Sequence, residues 1–185
     1  VAAVMSGHFV QRGDVSVFTK WARAKAAVLC GVDLVVELPL PWAMAPAETF
    51  ARGAVGVLAA LGCVDTLSFG SESGDLAAVT AASIAAGAQP VQARMKELLA
   101  GGVTFAKARE AAVRELHSPA AADALRRPND TLAAEYLRAL RRFAPDIAPM
   151  AVRRAGQAHD ENGGTPGFGP GGSGPDDRSE ERRVG

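Results

Sequence analysis

VAAVMSGHFVQRGDVSVFTKWARAKAAVLCGVDLVVELP, residues 1–39, alternates apolar runs with polar loops in a strand–loop–helix–strand rhythm. Val1–Met5 is a short apolar run that stops at Ser6-Gly7, the pattern of a buried strand opening into a loop. His8–Asp14 then gathers His, Gln, Arg, Gly and Asp in one short loop. Thr19 is the expected N-cap of a helix over Lys20–Cys30, with Trp21, Ala24 and Val28 on one face and Gly31 as its stop. Asp33–Leu38 (DLVVEL) is a second buried strand, ended by Pro39 and Pro41.

Moving outward, the same rhythm repeats. Ala47–Leu61 reads as a helix with Phe50, Ala54, Val57 and Leu61 inward, and Gly62 closes it. Thr66–Phe69 (TLSF) is a third strand that runs into Gly70–Asp75 (GSESGD). Crossovers of this length join parallel strands, so residues 1–75 are expected to form an α/β core with a doubly wound parallel sheet. After Asp75 the pattern becomes helical. Leu76–Ala86, Val91–Ala100, Phe105–Leu116 and Thr131–Phe143 read as helices, and Ala148–Arg154 as one last strand. Residues 76–160 are therefore expected to be a mostly helical extension.

The chain has 185 residues, 48% of them apolar, and a formal net charge of zero. That is enough apolar material for a core, and fibrous or wholly disordered classes are excluded. The neutral total sums two unlike parts. Residues 1–160 carry 17 basic and 15 acidic side chains, whereas residues 161–185 carry 3 and 5, and 11 of those 25 are Gly or Pro. This tail has no periodicity and too little apolar surface to offset its ordering entropy, so it is expected to be disordered. A linker or a non-native addition, on account of the terminal RSEERRVG, are the readings open for it. Cys30 and Cys63 make no disulfide framework and are expected to be small buried hydrophobes in a reducing, cytoplasmic compartment. No apolar run reaches the length of a membrane span, and no secretory signal is visible. The chain opens on Val within an apolar run, which reads as the interior of a longer protein.

Ligands of parallel α/β sheets bind outside the carboxyl ends of the strands. Those ends are Ser6–Asp14, Glu37–Pro41 and Gly70–Asp75. Ser6, Gly7, His8, Gln11 and Arg12 form a candidate loop near substrate: Gly7 permits close backbone approach, His8 can donate and Arg12 can pair with an anion. An ordinary surface loop with an Arg12–Asp14 pair fits the same spacing. Gly70–Asp75 can offer backbone N–H groups to a phosphate or ribose, though it is neither a Walker A loop nor a GxGxxG fingerprint, and a simple helix cap by Ser73 or Asp75 is the plainer reading of it. Glu37 suits a ligand hydroxyl or a buried pair with an Arg, and Glu48 suits the start of a helix. His8, His117 and His159 lie far apart, and no metal-ligand spacing appears. Arg138, Arg141 and Arg142 lie in a locally basic stretch, with Arg138 and Arg142 on one helical face. This is either a solvated face or a patch for RNA phosphates. The residues alone thus lead to an α/β domain binding a phosphate-bearing ligand.

MSGHFVQRGD, KWARAKAAVLCGVDLVVELP, FARGAV and FGSESGD, followed by Pro128-Asn129-Asp130 and Glu135-Tyr136-Leu137, closely resemble the tRNA(Met) cytidine acetate ligase family over about residues 1–160. The resemblance implies a Rossmann-like nucleotidyltransferase domain with a parallel sheet, its first strand missing here, and a helical extension. It implies that ATP, with Mg2+ as its counter-ion, activates acetate as acetyl-adenylate. The acetyl group is then transferred to N4 of the wobble cytidine of elongator tRNA(Met). By the same resemblance Gly70, Asn129 and Arg153 match ATP-contacting positions. Arg154, beside Arg153, is the alternative for the arginine, and which of the two points at ATP stays open. Arg138, Arg141 and Arg142 are the candidates for tRNA. The family's His-x-Gly-His loop is not found among these residues, so no catalytic residue is assigned and the 185 residues alone are expected to be inactive. Asp130 stands where the family commonly has a second Asn. The alternatives are a nucleotidyltransferase acting on another carboxylate and a non-catalytic nucleotide- or RNA-binding module.

Overall fold

A computed structural model describes residues 1–154; His159-Asp160 and the tail 161–185 lie outside the described residues. Four strands, β1 (Ala2–Ser6), β2 (Leu34–Leu38), β3 (Thr66–Ser71) and β4 (Ala148–Arg153), alternate with helices α1 (Lys20–Leu29), α2 (Leu40–Ala43), α3 (Ala47–Ala60), α4 (Leu76–Gly87), α5 (Gln89–Ala100), α6 (Phe105–Leu116), α7 (Pro119–Ala124) and α8 (Pro128–Phe143). The architecture is α/β, as the alternating runs require. Local chemistry fixes several boundaries. Thr19 Oγ1 accepts from Ala22 N at 3.2 Å and starts α1. Asp75 Oδ1 accepts from Ala78 N at 3.0 Å and starts α4. Gly31 and Gly62 end their helices with φ of 101° and 66°, conformations that cost L side chains most.

The strands form two parallel pairs. Among the described residues β1 pairs in parallel only with β2, from Ala2↔Leu34 to Ser6↔Leu38. β3 pairs in parallel only with β4, from Thr66↔Ala148 to Ser71↔Arg153. A cavity of about 930 Å³ is lined by Val1–Val4 of the first pair and Thr66–Gly70 of the second. Apolar runs reveal strands and crossovers reveal direction, but neither reveals which edges meet.

The core is helical and built of small side chains. α3, α4, α7 and α8 bury Val55, Leu58, Val79, Ala82, Ala121, Ala134, Leu137 and Leu140 together with Leu67 and Phe69 of β3. Alanines at the contacts let helix axes approach closely, so the core reaches its density with few aromatics. Two burial expectations are corrected, for α3 and for the cysteines. α1 buries no residue: Trp21 is 74% exposed, because the helix rests only on the narrow edge pair and presents its broad face to solvent. α3 buries Ala51, Ala54, Val55 and Leu58, a face rotated from the expected Phe50, Ala54, Val57 and Leu61. Cys30 and Cys63 are both exposed, since each sits just beyond a helix end, outside the packed faces. No helix of the described residues is long and apolar enough to cross a membrane.

Candidate functional site

Two strand ends build the site. At the first, β1 runs into the loop that carries Ser6, Gly7, His8, Gln11 and Arg12. Gly7 is buried against the Glu37 side chain, where a Cβ would collide with the carboxylate. Glu37 pairs with Lys20 Nζ at 2.6 Å, so its partner is a lysine of α1 and the pair is part-exposed, where a buried arginine pair was one expectation. Arg23 Nη2 donates to the Ser6 carbonyl at 2.9 Å and to the Gly7 carbonyl. Lys20 and Arg23, the two cations of the Lys-Trp-Ala-Arg stretch, therefore tie both β1 and β2 at their carboxyl ends. The loop closes on itself: Val10 N donates to Asp14 O at 2.9 Å, Ser16 N donates to His8 O at 2.9 Å, and Gln11–Gly13 forms a 3-10 turn. His8 is exposed. Ser6, Gly7, His8 and Gln11 do not line the 930 Å³ cavity.

The second strand end is a reciprocal clamp between the β3–α4 turn and the start of α8. α8 begins at Pro128, so the N–H groups of Asn129 and Asp130 lack helical acceptors, and Arg127 at the cap position supplies none. Glu72 supplies both. Its Oε1 accepts from Asn129 N at 3.1 Å and its Oε2 from Asp130 N at 2.9 Å. Oε1 also accepts from Asn129 Nδ2 at 2.6 Å. Asp130 reaches back: its fully buried carboxylate accepts from Ser71 Oγ and, at 3.2 Å, from Ser73 N. Arg127 Nη1 stands 3.6 Å from the same carboxylate. Burial alone would push the Glu72 carboxyl up, but the hydrogen bonds from Asn129 and Asp130 outweigh it and hold the group below its ordinary 4.5, as an anion.

This clamp places Gly70 and Asn129 on one cavity, whose lining includes Phe69 and Tyr136. The two rings stack with centroids 5.9 Å apart, and burial pushes the Tyr136 phenol up to about 12. Gly70 is exposed, and its φ is not in the left-handed region, so its backbone is open to a ligand. A Cβ there would lie 3.3 Å from Arg154 Cγ. Arg154 thus lies across Gly70, whereas Arg153 packs against Gly74, where a Cβ would lie 2.8 Å from the arginine's own Cβ. Both arginines flank the turn, one on each side.

The basic stretch of α8 is less free than its sequence suggests. Arg138 is held 3.3 Å from Glu135 and 3.8 Å from Glu48, and it is only half-exposed. Arg141 Nη2 donates to Ser83 Oγ at 2.7 Å, and burial pulls its guanidinium down. Arg142 lies over the Phe143 ring at 5.3 Å. His117 is exposed at the end of α6. Among the described residues no group of three or more His, Cys, Asp and Glu is gathered as a metal site. Sequence reasoning missed Glu72 and Asp130 as a clamp because it started α8 at Thr131. A proline at the first helical position, Pro128, is the signal that would have moved the start back and exposed the need for an acceptor.

The chain is similar to proteins of one family. The family model described as HIGH Nucleotidyl Transferase matches residues 1–167. The tRNA(Met) cytidine acetate ligase of Syntrophotalea carbinolica is 47% identical over 168 residues, 89% of this chain and 40% of that protein. The protein of the same name from Caldanaerobacter subterraneus is 45% identical over 84% of this chain and 40% of its own length. The chain thus spans about two fifths of these relatives. Among solved structures, Thermotoga maritima TmcAL bound with alpha-thio ATP superposes with a TM-score of 0.77 at 35% identity, covering 84% of this chain and 39% of that one. With a family match across most of its length and a shared fold, this chain belongs to the HIGH nucleotidyl transferase family.

Proposed function

We propose that the protein is an ATP-dependent ligase that activates acetate as acetyl-adenylate and acetylates N4 of the wobble cytidine of elongator tRNA(Met), and that residues 1–154 hold its ATP. The observation that carries this reading is the convergence of Gly70 and Asn129, remote in sequence, on one cavity, with Arg154 lying across Gly70. Gly70 offers backbone without a side chain, Asn129 a neutral amide, and Arg153 and Arg154 two cations beside the same turn. A nucleotide has a planar base, a polar ribose and an anionic phosphate chain, and this set suits each part. The names of the relatives and the ATP analogue in the Thermotoga maritima neighbour support the choice of nucleotide and reaction class.

In this reading acetate attacks the α-phosphate in line, the P–O bond to pyrophosphate breaks, and pyrophosphate leaves. The cytidine amine then attacks the acyl carbon, the bond from that carbon to the AMP phosphate oxygen breaks, AMP departs, and the amine gives up one proton to solvent. The chain's own residues contribute by positioning and by charge, as phosphate chemistry requires. Mg2+ would travel with the triphosphate on phosphate oxygens. Arg142 is the first candidate of α8 for tRNA phosphates, joined by Arg141 if it leaves Ser83 and by Arg138 if it leaves Glu48 and Glu135. A cytoplasmic location follows from a tRNA substrate. The deciding experiment supplies ATP, labelled acetate and a tRNA(Met) transcript. Label at the wobble cytidine supports the ligase, adenylation of another acid supports a different nucleotidyltransferase, and ATP or RNA binding without turnover supports a binding module.

A further inference from the structure

The Glu72–Asn129 contact fixes more than a helix start. An ionised carboxylate has no proton to give, so Asn129 must turn its NH2 group toward it. The 2.6 Å contact from Asn129 Nδ2 to Glu72 Oε1 is that arrangement. Among the described residues no donor reaches Asn129 Oδ1, and Asn129 is half-buried on the wall of the 930 Å³ cavity. Asn129 Oδ1 is therefore the hydrogen-bonding atom of the amide that stays available, on a residue that lines the cavity.

We infer that Glu72 is a positioning residue that sets the polarity of Asn129, so that this side chain selects a ligand group that donates a hydrogen bond, such as a ribose hydroxyl or the exocyclic amine of adenine, and not a phosphate oxygen. The inference rests on the nucleotide-binding reading above. An unprotonated phosphate offers only acceptors and would face the Asn129 oxygen repulsively. The phosphate chain then belongs with the cations beside the turn, Arg154 next to Gly70 and Arg153 next to Gly74, which do not themselves line the cavity. Glu72 has a second consequence: the same Oε1 holds Asn129 N, so backbone and side chain of Asn129 are fixed by one atom.

The test compares binding of ATP, 2′-deoxy-ATP, 3′-deoxy-ATP and the purine triphosphate lacking the 6-amino group to the full chain. Each analogue removes one donor. One of them is expected to bind about 10-fold more weakly than ATP, the loss typical of one unmade hydrogen bond at a half-buried site. That difference should vanish in Asn129→Leu, and should shrink in Glu72→Gln, whose side-chain NH2 lets the Asn129 amide reverse. Equal binding of all four nucleotides by the unaltered chain overturns the inference while leaving the ATP site standing. Failure of ATP itself to bind overturns the nucleotide reading. A nucleotide-free measurement keeps the two apart. The Asn129 side-chain NH2 resonances should shift as Glu72 titrates, and Glu72→Gln should abolish that shift. Resonances that ignore the titration overturn the fixed amide whatever binds.

Discussion

Glu72 and Asp130 satisfy each other's segments: Glu72 accepts the Asp130 N–H at 2.9 Å, while the Asp130 carboxylate accepts from Ser71 and Ser73 on either side of Glu72. The strand end that carries Gly70 and the helix start that carries Asn129 are thereby locked as one piece. Asp130 is fully buried, so its removal leaves the Ser73 N–H without an acceptor and the Ser71 hydroxyl with Ser73 Oγ alone, at 3.1 Å. Asp130→Ala should lower stability by about 1–3 kcal/mol for the groups left unpaired. Asp130→Asn keeps one acceptor and should lose less. Urea denaturation of the two variants checks this; equal losses would show that the clamp is not what holds the turn.

The clamp also predicts a pH dependence. Glu72 has its folded pKa below the ordinary 4.5, so its contribution is present above 4.5 and is lost as pH falls through the lower folded value. Glu135 works in the opposite sense. Burial pushes its carboxyl up, so its contribution is present below 4.5 and is lost as pH rises through the raised folded value. The urea midpoint of the unaltered chain minus that of Glu72→Gln, followed from pH 7 to pH 3, isolates the Glu72 share. The difference should shrink as pH falls. A constant difference would mean that the carboxylate is not held by Asn129 and Asp130.

Arg109 and Glu135 form a buried pair at 3.3 Å between α6 and α8, with side chains 10% and 7% exposed. Burial pulls the arginine down, and its Nε has no hydrogen-bond partner. Removing Arg109 leaves the buried Glu135 with Arg138 as its remaining cation, so Arg109→Ala should cost about 3 kcal/mol, the low end for a broken buried pair. Replacing both with Arg109→Met and Glu135→Leu should cost far less, because the desolvation of both charges disappears with them. Thermal unfolding of single and double variants measures the difference. A double variant no more stable than Arg109→Ala would show that the pair is net stabilising.

Lys20 and Arg23 give a separate prediction at the first strand end. Arg23→Ala should free the Ser6 and Gly7 carbonyls and expose the loop amides to hydrogen exchange, leaving the α6–α8 core protected. Loss of protection throughout would mean that α1 supports the core and does not merely anchor the loop.

Much of this was readable from residue order. Thr19, Asp75, Gly31 and Gly62 announced helix ends by chemistry that acts within a few residues, and all four perform as read. The three strand ends followed from apolar runs breaking at polar residues. What was not readable depends on distant partners. Trp21 is exposed because of what α1 packs on, not because of its own sequence. Among the described residues β1 pairs only with β2 and β3 only with β4, and no periodicity tells which edges meet. α7 (Pro119–Ala124) is a single short turn set by the Ser118 cap, and it was passed over as a connection. Arg138 read as a free cation, yet Glu48 and Glu135 hold it from α3 and its own preceding turn.

The proposed function depends above all on a nucleotide lying against the Gly70 backbone. Gly70 sits in a strand with ordinary φ, so a valine is compatible with the β3–β4 ladder and displaces only the flexible Arg154 stem. ATP affinity of Gly70→Val against the unaltered chain, with matched circular dichroism and unfolding midpoints, is the direct measurement. ATP binding is expected to weaken at least about 10-fold, the cost of losing one close contact with the ligand. Unchanged affinity in a folded Gly70→Val chain would contradict the placement of the nucleotide.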